Sequence, residues 1–565
     1  MFVIKQKGSI ILLNALAEEG VTTIFGYPGA AIIDLSDELV KTDIRHILVR
    51  HEQGAVHAAD GYARASGGVG VCLVTSGPGA TNTVTGIASA FCDSIPIVVI
   101  TGQVPTGLIG NDAFQEVDIV GITRPCTKHN YLVTRIEDLG KTIKEAFYIA
   151  KSGRPGPVLV DIPKDLFTME FDCGPQECVN LRSYNPTYEP NVRQLKKVAS
   201  LIKKAKRPLI LAGGGVILSK ASASLKKFAE AIASPVTSTL MGLGCFPTNT
   251  PYWLGMIGMH GTYRANMSSA NCDLLIAIGV RFDDRVTGKI NEFAPKATIV
   301  HIDIDPTSIR KNVPVSVPVV GDCKLSLDAL NALLEEKPLG DLSVSRAPWL
   351  GQIEEWKSTK TLSYSQDDEV IKPQYVIEKL YELTKGEAII TTEVGQNQMW
   401  AAQYYHFDNP NCFITSGGLG CMGFGLPAAI GAQLARPEKL VVDVAGDGSI
   451  QMNIQEMATA VQYGLPVKIV ILNNRFLGMV RQWQELFYDK RYACTEMDHA
   501  PDFVKLAEAY GAVGLRATTP EEVESVLKEG LSLPKTVVME FVVAREEKVY
   551  PMVPAGAPIT EMLLV

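Results

Sequence analysis

The stretch GDGSIQMNIQEMATAVQYGLPVKIVILNN, residues 446–474, decides the fold of this chain. The apolar run LVVDVA (440–445) precedes it, and the apolar run VKIVILN (467–473) lies near its end. Both runs have the length of a buried strand. Between them a helical pattern ends at Gly464-Leu465-Pro466. Strand, helix and strand at this spacing predict a parallel βαβ unit.

The two strands of such a unit end at the same edge of the sheet, so Asp447 and Asn474 are predicted to lie side by side. Their oxygens suit Mg²⁺, which keeps other ligand positions for water and phosphate. Backbone amides of Gly448-Ser449 and of the turn at Gly478-Met479 would cradle that phosphate. The alternative is that GDGS is only a β-turn and that the two asparagines only end a strand. A GDG after one buried strand and NN after the next favour the ligand site.

Length and composition indicate a globular protein of several domains. At about 100–200 residues a domain, 565 residues suggest roughly three to four. The formal net charge of −8 gives no basic footprint for nucleic acid, so the predicted partners are small molecules or other subunits. No apolar run reaches the ~20 residues that span a bilayer, and no signal or transit pattern begins the chain, so we expect a cytoplasmic protein without membrane contact. The eleven cysteines, of which Cys173 and Cys178 are the nearest pair, are predicted to be reduced.

Residues 1–170 alternate helical and strand patterns, which predicts a doubly wound parallel sheet. Three strand-to-helix junctions are rich in glycine: Gly26-Tyr27-Pro28-Gly29, Ser76-Gly77-Pro78-Gly79 and Gly102-Gln103. Ligands bind at this edge of such sheets, so a cofactor cleft is expected there.

Glu52 follows another strand of this first domain, in RHEQGAVHAADGYARASG. It is either a first-turn glutamate that the helix dipole favours, or a carboxylate placed at the ligand edge. Burial beside a cofactor ring would raise its pKa toward a value useful for proton exchange. The neighbouring His51 and His57 are predicted to be structural.

The rest of the chain predicts two further α/β units. A polar, proline-rich linker (171–190) leads to a second domain at 190–340, where Gly213-Gly214-Gly215 lacks the dinucleotide spacing and Asp303 and Asp305 end a strand. A second linker is expected at 335–349, before a third domain at 370–545. Met422 there is either core filler or a support for a cofactor. The tail, 546–565, is expected to close over something.

With Glu52, GDGS and NN, Gly420-Cys421-Met422 and the triple α/β layout, the chain resembles the acetohydroxyacid synthase (acetolactate synthase) family of thiamine-diphosphate enzymes, large catalytic subunits. The resemblance covers essentially the whole chain. The motifs that carry it are FGYPGA, HEQGA, SGPGATN, DAFQE (112–116), RPCTKHN, RFDDRVTGK (281–289), GLGCMGFGLPAAIGAQ and GMVRQWQELF (478–487).

The resemblance implies three doubly wound parallel-sheet domains: pyrimidine-binding, central FAD-type and diphosphate-binding. It implies an enzyme that decarboxylates pyruvate and condenses the hydroxyethyl-thiamine-diphosphate carbanion with pyruvate or 2-ketobutyrate. The products would be 2-acetolactate or 2-aceto-2-hydroxybutyrate, in the first common step of valine, leucine and isoleucine biosynthesis. The implied cofactors are thiamine diphosphate, Mg²⁺ and FAD. The implied assembly is a homodimer or homotetramer with a small regulatory subunit, the cofactor lying between two copies.

The resemblance also implies roles for individual residues. Glu52 would contact the pyrimidine, Gly420 would bond to the aminopyrimidine, and Met422 would impose a bent cofactor. The expected Mg²⁺ ligands are Asp447, Asn474 and the carbonyl of Phe476. Other expected cofactor contacts are Val394, Gly395, Gln396, Asn397, Gly448, Ser449, Gly478 and Met479. The expected substrate-side residues are Gly29, Phe114, Lys128, Trp483 and, for the acceptor carboxylate, Arg285. The expected FAD contacts are Arg154, Gly213, Gly214, Gly215, His260, Arg281, Asp283, Asp303 and Asp322.

The sequence departs from the family at two positions. Asn397 stands where histidine is usual, and its amide would still donate to phosphate. Ala30 follows Gly29 where a second glycine is common, which bears on the oxyanion-side backbone.

Pyruvate oxidase and glyoxylate carboligase would share the cofactor motifs, but the carboligase lacks the glutamate, and RFDDRVTGK is absent from the FAD-free catabolic relative. A degenerate scaffold subunit would lack Glu52, Asp447 or Asn474, and all three are present.

Overall fold

The computed structural model describes residues 4–173 and 179–564. Three six-stranded sheets follow one another along the chain, and all neighbouring strands within each are parallel. This confirms the predicted fold of successive doubly wound α/β units. No helix among the described residues is both long and apolar enough to cross a membrane. Cys173 and Cys178 lie outside the described side chains; the other nine cysteines are free, and six of them are buried.

The first unit has the strand order β3-β2-β4-β5-β7-β6, and β1 pairs separately with β8 in antiparallel fashion. Its strands are β1 (Ile4–Lys7), β2 (Thr23–Tyr27), β3 (Arg45–Leu48), β4 (Gly70–Val74), β5 (Ile97–Gln103), β6 (His129–Leu132), β7 (Val158–Pro163) and β8 (Glu170–Cys173). Its helices are α1 (Gly8–Glu18), α2 (Ile33–Leu39), α3 (Glu52–Ser66), α4 (Pro78–Thr81), α5 (Val84–Asp93), α6 (Ile119–Thr123), α7 (Leu139–Lys151) and α8 (Lys164–Thr168).

The second unit has the strand order β11-β10-β9-β12-β13-β14. Its strands are β9 (Pro208–Ala212), β10 (Val236–Ser238), β11 (Trp253–Met256), β12 (Leu274–Ile278), β13 (Thr298–Asp303) and β14 (Val317–Val320). Its helices are α9 (Val192–Lys204), α10 (Gly214–Leu218), α11 (Ser222–Ala231), α12 (Tyr263–Asn271), α13 (Asp284–Thr287), α14 (Cys323–Glu336) and α15 (Leu342–Thr359).

The third unit has the strand order β16-β15-β17-β18-β20-β19. Its strands are β15 (Ile389–Thr392), β16 (Phe413–Ile414), β17 (Val441–Gly446), β18 (Lys468–Asn473), β19 (Val513–Ala517) and β20 (Val537–Val542). Its helices are α16 (Pro373–Thr384), α17 (Gln396–Tyr404), α18 (Gly425–Ala435), α19 (Met457–Gln462), α20 (Gly478–Phe487), α21 (Phe503–Tyr510) and α22 (Pro520–Ser532).

The predicted βαβ unit is present, with β17 and β18 as parallel neighbours. Its helix is shorter than the pattern suggested, because two 3₁₀ turns, Ile450–Met452 and Ile454–Glu456, precede α19. Asn453 between those turns donates its side-chain amide to the carbonyl of Gly423 at 2.7 Å. This bond holds the turn against the glycine-rich loop of the same domain instead of continuing a helix.

The first and third units pack through α3 and α18. A Cβ at Gly61 would lie 2.2 Å from the carbonyl oxygen of Ala428, and one at Gly431 would lie 1.9 Å from that of Ala58. Only glycine permits two backbones to come this close. The helix that begins at Glu52 is therefore fixed against the domain that carries the GDGS motif.

The predicted linker at 335–349 is wrong. Helix α14 extends to Glu336, and α15 begins after Asp341, whose carboxylate caps Ser343 N–H at 2.9 Å. The buried positions of α15 are helically spaced, and Trp349 among them donates Nε1–H to the carbonyl of Pro208 at 3.0 Å. Polar residues on the outer face of a packed helix gave this segment the composition of a linker.

Candidate functional site

A cavity of about 1450 Å³ is lined by residues of all three units. It is larger than the ~300–1,000 Å³ of a typical ligand pocket. At one end it is lined from the second sheet by Gly214, Gly279 and Asp303; at the other end Val394 and Asn474 line it from the third sheet. Both sets of residues follow or end parallel strands, where ligands of doubly wound folds bind.

Asp447 lies at the third-sheet end of the cavity, directly after β17. The residue is only 1% exposed, and its Oδ2 has no hydrogen-bond partner. Burial raises the pKa of Asp447 to about 7. An unpaired buried carboxylate is costly, and a cation is the partner that would remove the cost.

Asn474 stands beside it at the end of β18, and Asp447, Asn474 and Phe476 all line the cavity. The Nδ2 of Asn474 donates to Gln396 Oε1 at 3.0 Å, and its Oδ1 accepts the backbone N–H of Phe476 at 3.0 Å. A carboxylate and an amide oxygen with open space before them fit Mg²⁺, which retains several water and phosphate ligands.

The turns around this acidic corner expose backbone to the cavity. The predicted contacts Val394, Gly395, Gln396, Gly448, Ser449, Gly478 and Met479 all line it. A Cβ at Gly448 would lie 2.6 Å from Leu477 Cδ2, so a larger residue there would have to displace that leucine side chain. The exposed peptide groups suit a phosphate, as predicted from the sequence.

The expected role of Asn397 as a phosphate donor is not supported. Its Nδ2 donates to the carbonyls of Glu393 at 2.9 Å and Val444 at 2.8 Å. Both N–H donors of the amide are therefore used by backbone carbonyls, one just after β15 and one within β17. Asn397 still lines the cavity, but it offers only its oxygen to a ligand.

The loop with Gly420 and Met422 lies between the two ends of the cavity and lines it. Gly420 has a φ of +74°, a conformation that glycine adopts readily. The loop is held by two buried carboxylates: Asp93 accepts the N–H of Gly418 at 2.7 Å, and Glu393 accepts that of Gly423 at 2.6 Å. Met422 is half-buried rather than core filler.

The second-unit end of the cavity contains Arg154, Gly214, Gly215, His260, Arg281, Asp283, Asp303 and Asp322. Gly213 does not line it; a Cβ there would lie 2.2 Å from the carbonyl oxygen of Gly279, so this glycine serves the packing of the strand end. Asp283 and Asp322 cap the N-termini of α13 and α14. Burial lowers the pKa of His260 to about 4, so its ring is neutral.

Arg285 of the second unit and Trp483 of the third unit both line the cavity. The Arg285 side chain is more than half exposed, and its nearest carboxylate among the described residues is Asp284, at 3.8 Å. Trp483 packs edge-to-face on Phe487, with 5.8 Å between ring centroids. The guanidinium of Arg285, which has no close acidic partner, and the broad apolar ring of Trp483 therefore line the same cavity.

The predicted first-domain residues Glu52, Gly29, Phe114 and Lys128 do not line this cavity. Glu52 is half-buried at the start of α3 and accepts Asn82 Nδ2 at 2.9 Å. Phe114 is 88% exposed, and a Cβ at Gly29 would lie 2.5 Å from Thr75 Cβ. Within one chain these four residues therefore do not contribute to the cavity that Asp447 and Asn474 line.

Lys128 does not form a wall of this cavity. Its Nζ donates to the carbonyl oxygens of Ile149 and Ser152 and contacts Tyr184 Oη at 3.0 Å. Burial, reinforced by the charge of Arg154, lowers the pKa of Lys128 to about 8. The lysine caps the carboxyl end of α7, where unpaired carbonyls favour a cation.

Sequence reasoning missed Glu456 and Gln482. Glu456, in the third unit, accepts the backbone N–H of Arg50 at 2.9 Å and of His51 at 2.9 Å, and so fixes the turn that presents Glu52. Gln482 is fully buried in α20 beside Trp483. The sequence signal that could have identified Gln482 is its position as a polar residue on the apolar face of an amphipathic helix.

Three family models match the chain in succession. They are the N-terminal TPP binding domain of thiamine pyrophosphate enzymes over residues 6–122, the central domain over 195–330 and the C-terminal TPP binding domain over 393–541. The acetolactate synthase large subunit of Haemophilus influenzae is 51% identical, covering 99% of this chain and 98% of its own length. The isozyme 3 large subunit of Escherichia coli is 51% identical with the same coverage. Chloroplastic acetolactate synthase 1 of Nicotiana tabacum is 48% identical over 99% of this chain and 85% of its own length.

Proposed function

The chain belongs to the acetolactate synthase large subunits of the thiamine pyrophosphate enzymes, and on that premise we propose its reaction and the residues that perform it. The enzyme decarboxylates pyruvate and joins the remaining two-carbon unit to pyruvate or 2-ketobutyrate. The products, 2-acetolactate and 2-aceto-2-hydroxybutyrate, enter branched-chain amino acid synthesis. The observation that carries the site assignment is the buried, unpaired Oδ2 of Asp447, at the carboxyl ends of the neighbouring parallel strands β17 and β18.

Asp447, Asn474 and the carbonyl of Phe476 hold Mg²⁺ in this proposal, and the turns at Gly448 and Gly478 bind the diphosphate. Bound thiamine diphosphate supplies the electron sink that pyruvate decarboxylation needs. The protein binds and orients the reactants and keeps water out, which suits the deep position of Asp447.

A second copy of the chain completes the site with Glu52. Support comes from the predicted residues of the first unit: Arg154 lines the cavity, whereas Glu52, Gly29, Phe114 and Lys128 lie outside it. A phenylalanine ring with 88% exposure is also an unusual surface group unless another chain covers it. Glu52, which accepts a hydrogen bond from Asn82, would be the group that exchanges a proton with the pyrimidine ring of the bound cofactor. The active enzyme is thus at least a homodimer.

Arg285 binds the carboxylate of the acceptor ketoacid. A guanidinium presents a fork of donors that matches a carboxylate, and this one has no carboxylate within hydrogen-bond distance among the described residues. Trp483 closes the apolar side of the same space. The two residues together select the acceptor rather than the donor.

We expect Trp483→Ala to erase most of the preference for 2-ketobutyrate over pyruvate while leaving acetolactate formation largely active. The acceptors differ by one methylene, and an enclosing pocket can turn that into about 1–3 kcal/mol. The measurement is the ratio of acetohydroxybutyrate to acetolactate with both ketoacids present. Phe487→Ala is the matched control, because Phe487 packs on Trp483 but does not line the cavity. An unchanged ratio in Trp483→Ala, or equal changes in both variants, would contradict the pocket assignment.

The second-unit end of the cavity is proposed to bind FAD. The cavity exceeds the ~300–1,000 Å³ of a typical ligand pocket. Arg154 lines it and bonds both Ser94 of the first unit and Asp305 of the second. The net reaction is not a redox reaction, so the flavin has no electrons to transfer in each turnover. A separate small regulatory subunit is also proposed, because the bacterial relatives are named large subunits.

We expect acetolactate to form under strict anaerobiosis without an added electron acceptor. Purified protein with the absorbance of oxidised flavin would be assayed for acetolactate from pyruvate, with and without thiamine diphosphate and Mg²⁺. Product that depends on both added cofactors and not on oxygen supports the proposal. An absolute requirement for oxygen or a quinone would favour a pyruvate oxidase instead.

A further inference from the structure

Two buried glutamines lie beside the proposed metal ligand Asn474. Gln396 is the first residue of α17 and Gln482 lies within α20; they are 4% and 0% exposed. Asn474 Nδ2 donates to Gln396 Oε1 at 3.0 Å, and Gln396 Nε2 donates to Gln482 Oε1 at 2.9 Å. The three side-chain amides therefore form one continuous chain of hydrogen bonds.

The far end of this chain is the backbone of the carboxyl-terminal tail. Gln482 Nε2 donates to the carbonyl of Val549 at 3.0 Å, and the N–H of Val549 donates to Gln482 Oε1 at 2.8 Å. Gln396 Nε2 also donates to the carbonyl of Glu547 at 3.0 Å. The tail continues onto the second unit, where Val553 N–H donates to the carbonyl of Met259 at 2.8 Å.

The tail determines which way each amide faces. A side-chain amide can turn over and exchange its oxygen and nitrogen, but a backbone carbonyl only accepts and a backbone N–H only donates. The carbonyl of Glu547 thus requires Nε2 of Gln396, which leaves Oε1 of Gln396 as an acceptor. Asn474 must then donate Nδ2 to that oxygen. Its Oδ1 faces the other way, where it accepts the N–H of Phe476 at 3.0 Å and is the atom offered to a cation.

The contact between Gln396 and Asn474 also explains why position 478 is a glycine. A Cβ at position 478 would lie 2.1 Å from Gln396 Oε1 and 2.7 Å from Asn474 Nδ2. Any other residue would displace one of these two amides. The glycine keeps space for the hydrogen-bond chain as well as exposing backbone to the cavity.

We propose that Gln396 and Gln482, which we call the glutamine pair, transmit docking of the tail to Asn474 and hold its oxygen toward the metal site. Gln482 is a positioning residue, since its hydrogen bonds go to Gln396, Val549 and Met552 and not to Asp447 or Asn474. Without the pair, only the backbone N–H of Phe476 orients the Asn474 amide, and Nδ2 has lost its partner. The inference rests on the proposed Mg²⁺ site. Coupling between two sites is reciprocal, so Mg²⁺ binding should in turn stabilise the docked tail.

Gln482→Met and Gln403→Met form a matched pair of variants. Gln403 is 9% exposed and also donates to the tail, at the carbonyl of Tyr550 (3.2 Å), and to the carbonyl of His260 (2.9 Å). It has no bond to Gln396 or Asn474. Loosening of the tail alone would affect both variants, whereas loss of the glutamine pair affects only Gln482→Met.

Mg²⁺ affinity would be measured by calorimetry in full-length protein at saturating thiamine diphosphate. We expect Gln482→Met to weaken Mg²⁺ binding about 10-fold or more, the usual effect of removing an outer hydrogen-bond partner of a metal ligand. Gln403→Met should bind Mg²⁺ like the parent. In the parent, adding Mg²⁺ should slow hydrogen exchange in a peptide covering 547–553, and in Gln482→Met it should not.

The outcomes separate the two proposals. If the parent does not bind Mg²⁺ with thiamine diphosphate, the proposed metal site is wrong. If the parent binds but Gln482→Met binds equally well, or if both variants weaken equally, the role of the glutamine pair is wrong. Should Gln482→Met fail to fold, hydrogen exchange in the parent decides: no slowing of 547–553 on addition of Mg²⁺ overturns the coupling.

Discussion

Replacing Glu52 with glutamine should lower kcat by roughly 10²–10⁴ while leaving folding and thiamine-diphosphate affinity nearly intact. This is the range expected when general acid–base help is lost, and it corresponds to about 3–5 kcal/mol of barrier. Glutamine keeps the size of the side chain and an oxygen for Asn82 Nδ2, which now bonds Glu52 at 2.9 Å. What it loses is the capacity to take up and release a proton. Steady-state kinetics with pyruvate, and calorimetric titration with the cofactor, measure the two effects separately.

A structural role for Glu52 predicts a different result. Glu52 is also the first-turn carboxylate of α3, and such a residue stabilises its helix by about 0.3–1 kcal/mol. Glu521→Gln removes an equivalent first-turn carboxylate from α22, away from the cavity, and serves as the control. If Glu52→Gln retains the parental kcat and only lowers Tm as Glu521→Gln does, Glu52 is a helix residue and not a proton donor.

Local sequence patterns predicted the parts of this molecule that depend on local geometry. The two apolar runs of the βαβ unit became the neighbouring strands β17 and β18, and their pairing brings Asp447 and Asn474 to one edge. The outcome follows because parallel strands joined by a helix end on the same side. The same reasoning located Met422 and the glycine turns that line the cavity.

Contacts between distant segments could not be predicted in this way. Gln482 bonds to Val549 and Glu456 bonds to Arg50, and neither pair leaves a periodic signal in the sequence. Lys128 was assigned to the pocket because of a motif, yet its ammonium group caps the end of α7. The motif identified the residue but not its partners, since the partners come from the tertiary fold.

Tertiary position also distinguishes two carboxylates of this region, Asp443 within β17 and Asp447 directly after it. Asp443 and Asp447 are both buried, and each has an oxygen without a hydrogen-bond partner. Burial raises the pKa of Asp443 well above its ordinary value, and the nearby Glu393 adds to that rise. Asp443 does not line the cavity, so a bound cation would neutralise only Asp447. The position at the strand end, rather than the residue type, is the reason that Asp447 is the proposed metal ligand.

Asp447→Ala should accordingly abolish saturable binding of Mg²⁺ and thiamine diphosphate over the range in which the parent saturates. Loss of the carboxylate removes the charge that compensates the metal and leaves the diphosphate unpaired. We expect a decrease beyond the about 10–100-fold caused by losing an outer partner of a ligand. Asp443→Asn, which removes a buried acid from the same strand, should bind both like the parent. Because an unpaired buried acid destabilises the cofactor-free fold, Asp447→Ala without ligands should melt no lower than the parent. Titration of each protein with Mg²⁺ at fixed cofactor decides the matter: if Asp447→Ala saturates like the parent, the metal lies elsewhere.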